Sequence, residues 1–456
     1  MSLKSIITFE PLLVCWFDKH PNVDRIFNKL KNKLANMGWL FAGKIFRMSL
    51  SMFAGIWVAR YLGTEMFGIL SFCMAVALLF RPMAMFQLEG ICIREIVATP
   101  EKKDDILGSS FVLSLVAGII SFLAAIGMIH VLRPGEQTYV LIVAIAGSGL
   151  VFFCFEIFDY WFQARVRSKL VVVSRALVLT ICSLLKIVGI CLGFSLFYFA
   201  WVNVAEIVLT GFALMIAYHK SGNSIRRLQA KWEWLKKLFS DAWPLALSGM
   251  AATVYLRIDK IMIGQMADAS QVGIYTAATR LAEAWYFLPI SIMATLYPAV
   301  IRAIKDEHIN PDERMQQIYK LMILLGYMSA IFTQIVAKPL ILLLFGSEYE
   351  MSAQVLMLYI WSGIFVNIAM AKAAWLKAMN FTKIQFVSTL AGAAVNICLN
   401  LVFIRHYGVV GAAWATIISY AIEAYLILFL FPKTRKQAQM ITKAMCNPII
   451  KLNKIF

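Results

Sequence analysis

The 456-residue chain reads as an all-α, polytopic membrane protein with about twelve transmembrane helices in two six-helix bundles. Three observations carry that reading. With 61% hydrophobic residues, 15% charged ones and a mean hydropathy of +0.76, the chain has too little polar material to cover a soluble domain. Apolar runs of the roughly 20 residues needed to cross about 30 Å of hydrocarbon follow one another along its length. Finally, the sequence repeats: Trp57 to Phe72 and Ile263 to Ala277 each lead a helix through a short polar turn, ending in Phe67-Gly68-Ile69-Leu70 and Val272-Gly273-Ile274-Tyr275. Gly68 and Gly273 stand 205 residues apart.

The spans are expected at 36–58, 67–89, 107–132, 138–162, 170–193 and 195–218, then 241–265, 272–298, 318–345, 352–376, 384–404 and 409–431. As one helix, the apolar run from Leu170 to Tyr218 would reach roughly 70 Å, so it must turn back near Gly193 and Ser195. The chain then divides into an amphipathic N-terminal segment (1–35), a first bundle (36–218), a basic linker (219–240), a second bundle (241–431) and a basic tail (432–456). Six spans in each half means that both halves enter the bilayer in the same direction, so they should be related by a pseudo-two-fold axis along the membrane normal. Pro82, Pro289, Pro298 and Pro339 supply bends.

A formal charge of +18 would suggest nucleic acid in a soluble protein. Here 30 of the 43 basic residues fall in the segments of one side, including both termini and the linker, whereas the opposite loops hold Arg60, Arg133, Lys338 and Arg405. That asymmetry sets orientation, with both termini cytoplasmic, and removes the need for a nucleic-acid partner. Residues 1–35 have a short apolar patch, Leu12 to Phe17, without a cleavage site, so no secretory signal peptide is expected. Arg25 to Leu34 alternates basic and apolar residues as a helix lying on an anionic leaflet would. The eight cysteines show no paired metal spacing, and neither metal nor cofactor is expected.

Trp57 to Phe72, Ile258 to Ala284, Asn396 to Thr416 and Glu156 to Leu170, in that order and spacing, resemble the polysaccharide-biosynthesis or O-antigen flippases of the multidrug, oligosaccharidyl-lipid and polysaccharide exporter superfamily. The resemblance covers nearly the whole spanning region. It implies a transporter in the bacterial inner membrane that moves undecaprenyl-diphosphate-linked O-antigen or related repeat units, as for lipopolysaccharide, from the cytoplasmic to the periplasmic leaflet by alternating access. The partners it implies are the polyprenyl-diphosphate-linked oligosaccharide, the lipid bilayer and polysaccharide polymerase machinery. A multidrug exporter of the same superfamily is the alternative. A polytopic polymerase would need an extracytoplasmic constellation of catalytic groups that the short outer loops do not offer.

A charge held mid-membrane costs roughly 2.5–3.5 kcal/mol on an insertion scale, so interior ions should face a wet cavity or a partner. Lys44 and Arg47 share a face of the first helix near its cytoplasmic end; Arg257 and Lys260 repeat that pair deeper in the seventh, with Arg81 and Arg280 beside them in depth. Together these six are the candidate diphosphate ligands of a cationic cleft. The competing reading pairs Arg257 or Lys260 with Asp259 and Arg280 with Glu283. Glu206 and Glu423 lead the candidates for coupling to H+ or Na+, with Asp259 and Glu283 behind them. Arg175, Lys186 and Lys372 read as side chains reaching for the interface, and Glu156 and Asp159 as part of an interfacial aromatic belt. Tyr255, Trp285 and Tyr286 are candidates to stack on sugars.

Overall fold

The computed structural model describes residues 21–305 and 310–450, apart from the side chains of residues 21–42, 44, 45, 168 and 305. The side chains of the Arg25 to Leu34 segment and of Lys44 therefore lie outside the described residues. Among the described residues every regular element is a helix. The first half comprises α1 (Pro21–Leu79), α2 (Arg81–Ala84), α3 (Glu89–Ala98), α4 (Lys103–Leu132), α5 (Gln137–Phe152), α6 (Ile157–Ala164), α7 (Ser168–Cys191) and α8 (Leu196–Lys220). The second half comprises α9 (Trp232–Met266), α10 (Ala269–Ala284), α11 (Phe287–Lys305), α12 (Pro311–Leu344), α13 (Glu350–Tyr359), α14 (Ser362–Ala378), α15 (Thr382–Ala424) and the amphipathic α16 (Arg435–Cys446).

Eight helical stretches are long and apolar enough to cross a membrane, and α13 with α14 forms a ninth, bent by 46°. Two of the eight are double. At roughly 1.5 Å per residue an unbroken α1 would extend about 88 Å, far beyond a bilayer; it is interrupted at Gly63, whose φ of 71° is open to glycine. In α15 the interruption falls at Gly408, with φ 55°. Counting α9, whose polar residues dilute its hydropathy, the described helices make twelve passes. The turn in the 170–218 run falls at Gly193, φ 71°, and α9 starts at Trp232, inside the stretch read as linker.

The largest buried cluster joins the halves, bringing Ile56, Phe67, Phe72 and Val76 against Ile263, Tyr275, Ala278 and Tyr349. It lies toward the end where Arg60 and Arg133 sit, the end poor in basic residues. Two other clusters lie toward the opposite end: one in the first half around Phe158, Trp161, Phe162 and Tyr218, joined by the start of α9, the other within the second half around Met315, Tyr319, Ile368 and Trp375. Helix α9 is shared. Its early residues Trp234, Leu238 and Ala242 pack into the first-half cluster, its later residues Ile261 and Ile263 join the common one, and Pro244 lies inside it.

The two copies of the repeated hairpin meet at the basic-poor end. A Cβ on Gly68 would lie 1.7 Å from the Ala269 carbonyl oxygen, and one on Gly273 would lie 2.1 Å from that of Thr64. Only glycine allows backbones this close. Around them Ser270 Oγ donates to Thr64 Oγ1 at 2.8 Å, Tyr349 Oη to the Ala59 carbonyl at 2.8 Å, Arg60 to the Leu343 carbonyl at 3.1 Å and Gln265 to that of Leu132 at 3.0 Å. This end of the gap between the halves is closed.

Candidate functional site

Behind that seal lie two adjoining cavities of about 350 and 300 Å³ that share Leu78, Arg257, Lys260 and Glu283. The first is also lined by Arg81, Tyr286, Tyr359 and Tyr420, the second by Asn203, Thr276 and Arg280. Both halves contribute walls. Four cations thus face one carboxylate, Glu283, and none of the five is in an ion pair among the described residues. A buried cluster with a surplus of three positive charges stays charged only if an anion or water shares the space.

Local packing fixes these cations. The Arg81 guanidinium sits 4.9 Å from the Phe153 ring centroid, a distance suited to a cation–π contact. Arg280 lies across Gly55 of α1, where a Cβ would stand 2.2 Å from its Nη1, and that buried Nη1 has no hydrogen-bond partner. Tyr286, Tyr359 and Tyr420 line the first cavity and are backed by a second layer. Tyr255 packs 5.0 Å from Tyr420 and Tyr275 packs 5.9 Å from Tyr359.

Of the six cations singled out in the sequence, the structure gathers Arg81, Arg257, Lys260 and Arg280. Arg47 stands apart, donating only a long 3.3 Å bond to the Gly43 carbonyl; its charged neighbours are Arg175 and Asp159. The pairings of Arg257 or Lys260 with Asp259 and of Arg280 with Glu283 do not form. Asp259 instead accepts hydrogen bonds from Tyr275 Oη at 2.7 Å, Thr416 Oγ1 at 2.8 Å and Asn400 Nδ2 at 2.6 Å. Neutral donors surround it, and Asn400 Oδ1 nearby is buried without a donor.

Glu423, Glu206, Glu156 and Asp159, unlike Glu283, have cationic partners. Lys372 Nζ, wholly buried, binds Glu423 Oε1 at 2.6 Å, and Lys186 lies 3.5 Å from Glu206. Arg175 is held by both Glu156 and Asp159, the latter at 2.7 Å. The reading of these three cations as interface-seeking side chains is therefore corrected: each lies within ion-pair distance of a carboxylate on another element. Glu156 and Asp159 belong to a buried ion cluster rather than an aromatic belt. Gly55, Arg175 as a charged neighbour of Arg47, and the cavity-lining Tyr359 and Tyr420 were not identified from sequence. The one available signal was Gly55, two residues before the repeated hairpin.

Twelve membrane passes in one chain, enclosing a charged chamber between two halves, define a polytopic membrane transporter rather than an enzyme. Comparison with known proteins makes this more specific. Residues 33–304 match the polysaccharide biosynthesis protein family, to which the chain belongs, and residues 244–402 match the MatE family; both place it in the multidrug, oligosaccharidyl-lipid and polysaccharide exporter superfamily of flippases and transporters. It is 23% identical over 220 residues, 48% of this chain and 47% of the relative, to a probable low-salt glycan biosynthesis flippase, Agl15, of Haloferax volcanii. It is 21% identical over 201 residues, 43% and 47% of the two chains, to a putative O-antigen transporter of Shigella flexneri. The chain thus spans about half the length of these curated relatives. Among solved structures it is similar to the lipid II flippase MurJ in its inward closed conformation, with a TM-score of 0.70, 16% identity and coverage of 89% and 91%. A multidrug resistance MATE family transporter matches with 0.66 in its inward-facing and 0.56 in its outward-facing conformation, at 16% and 14% identity, covering 87% and 88% of this chain and 96% of that one.

Proposed function

We propose that the protein flips undecaprenyl-diphosphate-linked oligosaccharide repeat units from the cytoplasmic to the periplasmic leaflet of a bacterial inner membrane. The observation that carries this reading is the chamber between the halves, in which Arg81, Arg257, Lys260 and Arg280 face a single carboxylate. A diphosphate of about −2 charge neutralises most of that surplus through charge-assisted hydrogen bonds. A hydrophobic cation, the cargo of a multidrug exporter, meets repulsion there. Placing the basic-rich end and both termini in the cytoplasm, as basic asymmetry favours, makes the glycine-sealed end periplasmic. The conformation is then one sealed toward the periplasm.

Coupling, in this reading, centres on Asp259. Glu206 and Glu423 carry cationic partners, whereas Asp259 accepts from three neutral donors beside the unpartnered Asn400 Oδ1, an environment that a proton or Na+ can enter without displacing a salt bridge. Binding there biases the helices that carry Asp259, Asn400 and Thr416, and so the balance between inward and outward states.

The experiment is reconstitution in liposomes with a fluorescent polyprenyl-diphosphate oligosaccharide. Arg257→Ala is expected to lower transfer at least tenfold, and Lys44→Ala addresses the remaining candidate cation. Unchanged transfer in Arg257→Ala, with protein folded and inserted, rejects the cationic chamber as the diphosphate site.

A further inference from the structure

At the basic-rich end, the seam between α1 and α7 presents two chemically distinct faces. One is an apolar groove of about 540 Å³ lined by Gly43 and Phe46 of α1 and by Val172, Ala176, Leu177 and Thr180 of α7. Its floor exists because residue 43 is glycine: a Cβ there would stand 2.5 Å from Val172 Cγ1. The other face is charged. Arg47 is one turn beyond Gly43 and bonds to its carbonyl, and Arg175 lies between Val172 and Ala176 in sequence, held by Glu156 and Asp159. Arg47 and Arg175 are electrostatic neighbours.

An apolar trough and a guanidinium pair at one helix seam, with Arg47 bonded to the carbonyl of the groove residue Gly43, suit a ligand that is itself long, apolar and anionic at one end. We propose that this seam is the loading site for the substrate, with the proximal isoprene units of the polyprenyl chain in the Gly43–Thr180 groove and the diphosphate on Arg47 and Arg175. The proposal rests on the flippase reading above and adds where the lipid first docks.

The charges explain why such a site loads without trapping. Arg47 is the cation without a carboxylate partner, whereas Arg175 is already balanced by two acids, so the cluster of Arg47, Arg175, Glu156 and Asp159 is neutral overall. A diphosphate is held weakly here and strongly in the chamber with its surplus of three positive charges, as directional movement between successive sites requires. Arg81 connects the stations, since it is an electrostatic neighbour of both Glu156 and Arg257. The isoprenyl chain never enters the charged chamber, and its burial in the groove adds affinity at about the value of an ordinary apolar contact.

The test compares two fluorescent substrates carrying the same diphosphate disaccharide, one on a long polyprenyl chain and a short-chain one with only a methyl group in its place, with Ala176→Phe filling the groove. The expected result is a rise of about tenfold in the half-saturating concentration of the long-chain substrate, the equivalent of roughly two lost methylene contacts, with the short-chain substrate changed less than twofold. Equal effects on both substrates, or no effect on either, overturn the proposal. A second measurement avoids filling the groove: Leu177→Cys bearing a photoreactive label should cross-link the long-chain substrate and lose that product to unlabelled polyprenyl diphosphate but not to phosphatidylglycerol. Equal competition by phosphatidylglycerol shows a site for any anionic lipid and also overturns it. Arg257→Ala, run alongside, separates the two levels. If it transports normally the flippase chamber fails, whereas if it is inactive but still cross-links at position 177 the loading site stands apart from it.

Discussion

Replacing Gly68 with alanine tests whether the glycine contact is the periplasmic gate. The new Cβ would lie 1.7 Å from the Ala269 carbonyl oxygen and must retreat to at least 3.0 Å, so the helix bearing Gly68 and α10 must part by about 1.3 Å or more. The obstacle is backbone, which no rotamer change relieves. Overpacking of this kind costs about 1–3 kcal/mol, and here the cost falls on the closed state alone if the outward state separates the two hairpins. At about 1.4 kcal/mol per factor of ten, a 2 kcal/mol penalty moves the balance roughly thirty-fold toward the outward state. Ser71 lines the second cavity behind the seal, so Ser71→Cys, in a background free of other cysteines, reports opening by its reaction with a membrane-impermeant maleimide added from the periplasmic side. Labelling should be slow with Gly68 and at least tenfold faster with Gly68→Ala. If instead the melting temperature drops while labelling stays slow, the contact is ordinary packing in both states and the gate argument fails.

Three other substitutions probe separate parts of the mechanism. Gly55→Ala should push the Arg280 guanidinium out of its seat and weaken binding of a soluble prenyl diphosphate about tenfold by calorimetry, with little change in thermal stability because a flexible side chain yields. Lys372→Met leaves Glu423 buried and unpaired, and should cost about 3–5 kcal/mol, visible as early loss of the monodisperse peak on heated size-exclusion chromatography; adding Glu423→Leu should recover most of it. Asp259→Asn should flatten the response of transfer to an imposed H+ or Na+ gradient while leaving passive exchange measurable. A full gradient response in that variant removes Asp259 from coupling.

Depth was legible in this sequence and direction was not. Counting about 1.5 Å per residue placed Arg257 and Lys260 away from the basic-rich end, and the apolar runs marked the passes because backbone in lipid must be helical. Which way each side chain points is another matter. A helix with lipid on one side and packed protein on the other is apolar all round, so nothing along α1 says that Gly55 faces Arg280 or that Gly43 faces Val172. For the same reason Lys372 and Glu423, 51 residues apart, gave no sign of being partners. Charged residues adjacent in sequence suggested pairs such as Asp259 with Lys260, yet neighbours on a helix do not face one another, and Asp259 turns to α10 and α15 instead.

The glycine contact carries one further consequence. Gly68 meets Ala269 and Gly273 meets Thr64, so each contact is the other carried forward by 205 positions: an isologous junction of the kind that two identical subunits make across a two-fold axis. In such a homodimer any substitution strikes twice and either spoils both contacts or neither. Fusion into one chain frees the two glycines to change independently, so the latch between the halves can be loosened by half, which a symmetric ancestor could not do.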